Sequence, residues 1–93
     1  MLKIYLAGPI AGCSDAGALH WRQYVKALMP DYTFLDPTRR DYRGREQDPR
    51  LHREIISMDI QDIRASDIVL VHYWKPSVGT SMEILLAVQA DKP

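Results

Sequence analysis

Apolar and polar positions fall into blocks along the chain, and each block has its own period. Residues 3–8 (KIYLAG) form a short apolar run with β-branched and aromatic members, cut off by Gly8-Pro9, and predict a buried strand. A loop follows over residues 9–14 and carries Gly12. From Asp15, read as an N-cap, residues 15–29 place Ala18, Trp21, Val25 and Leu28 at helical spacing, and Pro30 closes the helix. YTFLD at 32–36 predicts a second short strand, broken by Pro37. Residues 38–50 are polar and arginine-rich, and a loop that long in so small a chain favours a functional segment. From Leu51 to Ala65, Ile56, Ile60 and Ile63 recur at i, i+4 and i+7, which predicts a second helix. DIVLVHY at 67–73 is the most apolar stretch and reads as a central parallel strand. Residues 78–90, after Lys75-Pro76, predict a third helix.

The order βαβαβα implies an α/β fold with a parallel sheet and right-handed crossovers. The alternation breaks off at Lys92-Pro93, where a strand is expected next; truncation or processing of a longer chain is the preferred reading. Ninety-three residues allow one domain, 1–93, and 46% hydrophobic with 26% charged residues places it among folded chains. Twelve basic residues balance twelve acidic ones, so no overall field gathers polymeric nucleic acid or an anionic membrane, and no apolar run reaches membrane-span length. A single cysteine, Cys13, forbids an internal disulfide and makes a reducing, cytoplasmic setting the default. A core this thin often recruits a partner subunit, so a homo-oligomer is expected. His20, His52 and His72 lack metal-ligand spacing, and no metal or cofactor is expected.

In open α/β sheets ligands bind beyond the carboxyl ends of the strands, which here are residues 8–14, 36–45 and 73–79. Within Lys75-Pro76-Ser77-Val78-Gly79-Thr80-Ser81-Met82-Glu83, Thr80 and Glu83 fit a capping box, in which each side chain satisfies an orphan amide. Alternatively, Glu83 faces the crevice, kept ionised by the helix N-terminus, while Ser77 and nearby amides bind an anion. A helical wheel centred on Ile56 puts Asp59 at the border of the apolar stripe and turns Asp62 toward solvent. Asp59 is then either a carboxyl kept protonated by burial or a partner for a loop arginine. Residues 39–53 hold Arg39, Arg40, Arg43, Arg45, Arg50 and Arg53 against Asp41, Glu46 and Asp48, a surplus that suits an anionic ligand or an ion-pair network. Tyr42, Tyr73 and Trp74 are available to stack on a base or to pack against a neighbouring subunit.

IYLAGPIAG, FLDP, DIQDIRASDIVLV and PSVGTSMEI, in that order and across nearly the whole chain, resemble the nucleoside 2-deoxyribosyltransferase family and its relatives, the nucleoside 5′-monophosphate N-glycosidases. The resemblance implies a flavodoxin-like (Rossmann-like), doubly wound sheet, usually completed by two further strands. It also implies that Glu83 is the nucleophile on the sugar's anomeric carbon and that Asp59 contacts the sugar and helps protonate the leaving base. Tyr5 would hydrogen-bond the nucleophile. A retaining glycosidase needs two carboxyl groups about 5 Å apart, one ionised and one protonated.

Ser77 decides between substrates within the resemblance. Members acting on free nucleosides usually carry Asp there, whereas members that hydrolyse nucleotides carry Ser and bind a 5′-phosphate. Together with Gly8, Ile10, Gly12, Gly79, Arg39 and Arg43 as substrate-binding residues, Ser77 leads to the expectation of an N-glycosidase cleaving a (deoxy)ribonucleoside 5′-monophosphate to free base and sugar 5-phosphate. The alternatives are base exchange between deoxynucleosides and a non-catalytic nucleotide-binding module in which Glu83 is only a cap. A phosphoribohydrolase of the cytokinin-activating type shares G-T-x-x-E but has Gly-Gly where this chain has Pro76-Ser77-Val78.

Overall fold

A computed structural model describes residues 2–10, 12–40 and 48–93. Three strands, β1 (Lys3–Ala7), β2 (Thr33–Leu35) and β3 (Ile68–Val71), form a parallel sheet in the order β2-β1-β3. Tyr5 of β1 pairs with Leu35 on one side and Val69 on the other. Three helices, α1 (Asp15–Leu28), α2 (Pro49–Ala65) and α3 (Val78–Gln89), connect or follow the strands, so the expected βαβαβα order is the observed one. After α3 the chain returns to the outer edge of β3, where the Pro93 carbonyl accepts the Val69 N–H at 2.8 Å. Among the described residues no helix is long and apolar enough to cross a membrane.

β1 is the buried centre. Side chains alternate across a strand, so Tyr5 and Ala7 point to one face and Ile4 and Leu6 to the other. All four are buried. Tyr5 and Ala7 pack with Ile63 of α2 and Ala87 of α3. The opposite face receives α1: Gly8 lies against Trp21, and a Cβ at Gly8 would sit 2.6 Å from Trp21 Cζ2 and 3.2 Å from the His72 carbonyl. Gly8, expected to bind substrate, is therefore required first by the close approach of α1 to the end of β1.

Helix boundaries follow from capping. Ser14 caps α1 by accepting the Gly17 N–H, so the cap lies one residue before the expected Asp15. Asp48 caps α2 ahead of Pro49, which suits a first helical position because proline has no N–H to leave unpaired. The faces of α1 and α2 differ more from expectation. Ala18 and Arg22 are the buried residues of α1, while Leu28 is largely exposed. In α2 the buried residues are Leu51, Asp62 and Ile63, and Ile56 is exposed. Asp62 was expected to face solvent because the wheel was centred on Ile56; the inward face is turned away from that residue and centres close to Asp62.

Candidate active site

α3 is apolar nearly all round, yet two of its three buried residues, Thr80 and Glu83, are polar. They are three residues apart, with Ala87 four further on, and so share one stripe of the helix. The helix starts one turn before Thr80, because Ser77 is the N-cap: its Oγ accepts the Thr80 N–H at 3.2 Å and the Thr80 hydroxyl at 3.0 Å. The capping-box reading is thereby replaced. Glu83 lies beyond the first turn, caps nothing, and points into the protein with 8% of its surface exposed. The basis for a module in which Glu83 is merely a cap is gone.

Tyr5, wholly buried in β1, donates its hydroxyl to Glu83 Oε2. Asp59, half-buried on α2, lies near enough for its charge to bear on both Tyr5 and Glu83. Strand β1 and helices α2 and α3 thus bring one phenol and two carboxyl groups into one neighbourhood. A hydroxyl has one proton to donate and lone pairs to accept with. Tyr5 commits its proton to Glu83.

The electrostatics suit one shared proton. Burial pushes Glu83 up to about 7; the Tyr5 hydrogen bond opposes this, the Asp59 charge reinforces it and Arg22 lowers it. Burial also raises Asp59, to about 6, opposed mainly by the Arg40 guanidinium and reinforced by Asp62. Burial and the two carboxylates raise Tyr5 above its ordinary value, which keeps it a phenol. The expected division, Glu83 ionised by a helix terminus and Asp59 protonated by an apolar edge, is not the observed one. Glu83 lies too far along α3 for the terminus to dominate and is the more buried of the two. Titration of so close a pair belongs to the pair, not to either member.

Arginines frame Asp59 from outside. Asp36 ends β2 and caps a 3₁₀ turn, Pro37–Arg39, that swings Arg39 and Arg40 onto α2. Both reach Asp62 Oδ2, at 2.7 and 2.8 Å, and Arg40 lies 3.8 Å from Asp59. Arg39, expected on a substrate anion, is thus paired within the protein, and Asp62 tolerates burial because two guanidinium groups meet it. Arg43 and Tyr42 lie outside the described residues. Ile10 and Gly12 are exposed in the β1–α1 loop, where Gly12 takes φ +74°, the left-handed region that glycine enters without strain. Gly79 is exposed, with open space where a Cβ would stand, and Tyr73 and Trp74 are exposed on the β3–α3 loop.

Sequence reasoning missed Arg22 and Asp62 as members of this neighbourhood, and had Arg40 only as one of the loop arginines available to pair with Asp59. The run Arg39-Arg40 three residues after Asp36 was visible, but its partner on α2 is 22 residues away from Arg40 and only the fold joins them.

The profile of the family described as nucleoside 2-deoxyribosyltransferase matches residues 4–93. A solved 2-deoxyribosyltransferase from the psychrotolerant bacterium Bacillus psychrosaccharolyticus shares the fold, with a TM-score of 0.77 and 21% identity over 98% of this chain and 68% of its own. No curated protein sequence matches significantly. Hydrolysis of a nucleoside 5′-monophosphate, the expected activity, is corrected by the family match, which is to transferases that exchange bases. The structure also ties part of the expected anion site into the protein. Ser77 Oγ accepts both hydrogen bonds of the α3 cap, its N–H goes to the Tyr73 hydroxyl at 3.3 Å, and Arg39 and Arg40 face Asp62.

Proposed function

The chain belongs to the nucleoside 2-deoxyribosyltransferase family, and from that premise we propose that it exchanges the base of a 2′-deoxynucleoside through Glu83, Asp59 and Tyr5. The Glu83 carboxylate attacks the anomeric carbon; the C1′–N bond breaks as Asp59 gives its proton to the departing base nitrogen. The product of this half-reaction is free base and a sugar ester of Glu83. A second base then attacks C1′, its N–H proton goes to Asp59, and the C1′–O bond to Glu83 breaks. Two displacements at one carbon retain its configuration.

The observation that carries this reading is the buried Glu83 carboxylate held by the Tyr5 hydroxyl, with Asp59 near enough for its charge to bear on both. Exchange runs the same chemistry in both directions, so the acid of the first half must be the base of the second. An Asp59 that titrates at about 6 is suited to both tasks near neutrality. Burial of Glu83 supports exchange over hydrolysis, since an ester formed there is screened from bulk water. Ile10, Gly12, Ser77 and Gly79 would border the nucleoside at the mouth of the two loops.

Chromatography of a mixture of deoxynucleoside and a second free base tests the proposal. A new deoxynucleoside is expected, dependent on both components; base release at equal rate without an acceptor overturns it. With one proton shared by the pair, kcat/KM is expected to follow a bell, rising through about 6 and falling through about 7. A profile flat from pH 5 to 8 would show that this pair does not govern the rate.

The expected self-association belongs to the same reading. Val78, Met82, Leu85 and Val88 recur at helical spacing along α3 and are all exposed. Sedimentation velocity is expected to give a mass above the 10.7 kDa of one chain, and a monomer at assay concentrations contradicts this.

A further inference from the structure

Arg22 has no exposed surface at all and is the largest fully buried side chain among the described residues. A buried guanidinium is costly unless its donors and its charge are both answered. Its two terminal nitrogens are answered by main chain: Nη2 donates to the carbonyls of Gly8 at 3.0 Å and Leu6 at 3.4 Å, and Nη1 to that of Ala18. The group therefore clamps the carbonyl end of β1 to α1, immediately after Tyr5 and at the turn into the loop that borders the site. It also lies 4.5 Å from the centre of the Trp21 ring.

Its charge is answered less completely. Asp36 Oδ1 is 3.6 Å from Nε, an ion-pair distance, and Nε has no hydrogen-bond partner. Asp36 is meanwhile held at 2.6 Å by Lys26. Two cations share one carboxylate, so the cluster keeps a surplus positive charge on the far side of β1 from α3. A guanidinium remains protonated even when burial lowers its affinity for a proton, as it does here.

We propose that Arg22 is a positioning residue for the candidate site, fixing the end of β1 beneath Tyr5 and supplying, through the sheet, the positive charge that favours Glu83 as a carboxylate. Glu83 otherwise meets Tyr5 from β1 and Asp59 from α2, a phenol and a like charge, and β3 offers no titratable residue. The cluster around Arg22 itself comprises Asp36, Lys26 and Cys13. The buried cation acts at a distance, without touching substrate.

This inference rests on Glu83 being the working carboxylate, and its test separates the two. The chain has only three glutamates, Glu46, Glu54 and Glu83, so carboxyl-¹³C glutamate gives three resonances, and the one lost in Glu83→Gln is Glu83. Arg22→Met is expected to move the Glu83 titration to higher pH and to lower neutral-pH exchange roughly 10- to 100-fold, because less of the pair then holds Glu83 ionised with Asp59 protonated. Arg22→Lys, which restores charge without the full set of carbonyl contacts, should return the titration toward its original position while recovering only part of the rate. Asp36→Asn should move Glu83 the other way, to lower pH, because it unmasks the same cation. A folded Arg22→Met with the Glu83 titration unmoved overturns the inference, as does Asp36→Asn shifting it upward. Should Arg22→Met not fold, Arg22→Lys and Asp36→Asn still decide by the sign of their shifts. If the parent protein exchanges no base, the proposed function fails, and the resonance of Glu83 continues to test the role of Arg22.

Discussion

Glu83→Gln is expected to abolish base exchange and, at pH 8, to leave the fold more stable than the parent. The loss of rate follows from removing the attacking oxygen: amide nitrogen and amide oxygen cannot form the sugar ester, and loss of a nucleophile costs on the order of 10⁴-fold or more. The gain in stability follows from burial. Glu83 is raised from 4.5 to about 7, so the folded chain binds its proton more tightly than the unfolded chain does. Its favourable contribution is fully present below the unfolded value and is lost as pH rises toward about 7, above which the fold carries a buried, ionised carboxylate. The shift corresponds to roughly 3 kcal/mol at most, each pKa unit being about 1.4 kcal/mol. Glutamine keeps the shape of the protonated acid and stays neutral. Denaturant unfolding should therefore show the variant ahead at pH 8 and level with the parent near pH 4. A variant less stable than the parent at pH 8 would mean that the Glu83 carboxylate is well solvated in the fold, and an undiminished rate would remove Glu83 from the chemistry.

The same burial explains which parts of the molecule could be read from its sequence. β1, β3 and α3 announce themselves because an apolar run ended by Gly8-Pro9 or Pro76-Ser77 has few alternatives, and the succession of blocks dictates a parallel sheet. Glu83, Asp59 and Tyr5 were drawn together from the sequence only by the resemblance of its motifs to a family, and the fold sets them in one neighbourhood with Tyr5 donating to Glu83. Arg22 and Asp62 were not legible, because a charged residue in a helix ordinarily reads as surface. Each is buried on partners far away in sequence: Asp62 on Arg39 and Arg40, Arg22 on the carbonyls of β1. The α2 wheel failed for the same reason, since Ile56 is exposed while an ion-paired aspartate takes the inward position. Ser77 misled in a different way. One hydroxyl beside a helix N-terminus can cap the helix through its lone pairs and still offer a proton to an anion, so Ser77 alone does not select a nucleotide; here it caps.

Tyr5→Phe isolates the hydrogen bond to Glu83, because it removes one buried oxygen and leaves the ring that packs with Ala7, Ile63 and Ala87. Glu83 has its acidity strengthened by that bond, so it is expected to titrate at higher pH without it. The falling limb of the kcat/KM bell, near 7 in the parent, should move toward alkaline pH. At pH 7 the rate is expected to fall about 10²- to 10³-fold, in the range ascribed to positioned proton transfer, and part of the loss should be regained by raising the pH. Stability should fall too, by about 1–3 kcal/mol at pH 8, where the Glu83 carboxylate loses a donor, and by less where it is protonated. A merely structural tyrosine would lower stability by a similar amount at every pH and leave the bell in place. Comparing the pH–rate profiles of Tyr5→Phe and the parent, with unfolding measured at pH 5 and pH 8, separates these outcomes. An unmoved bell would mean that the phenol packs against Glu83 without influencing its proton.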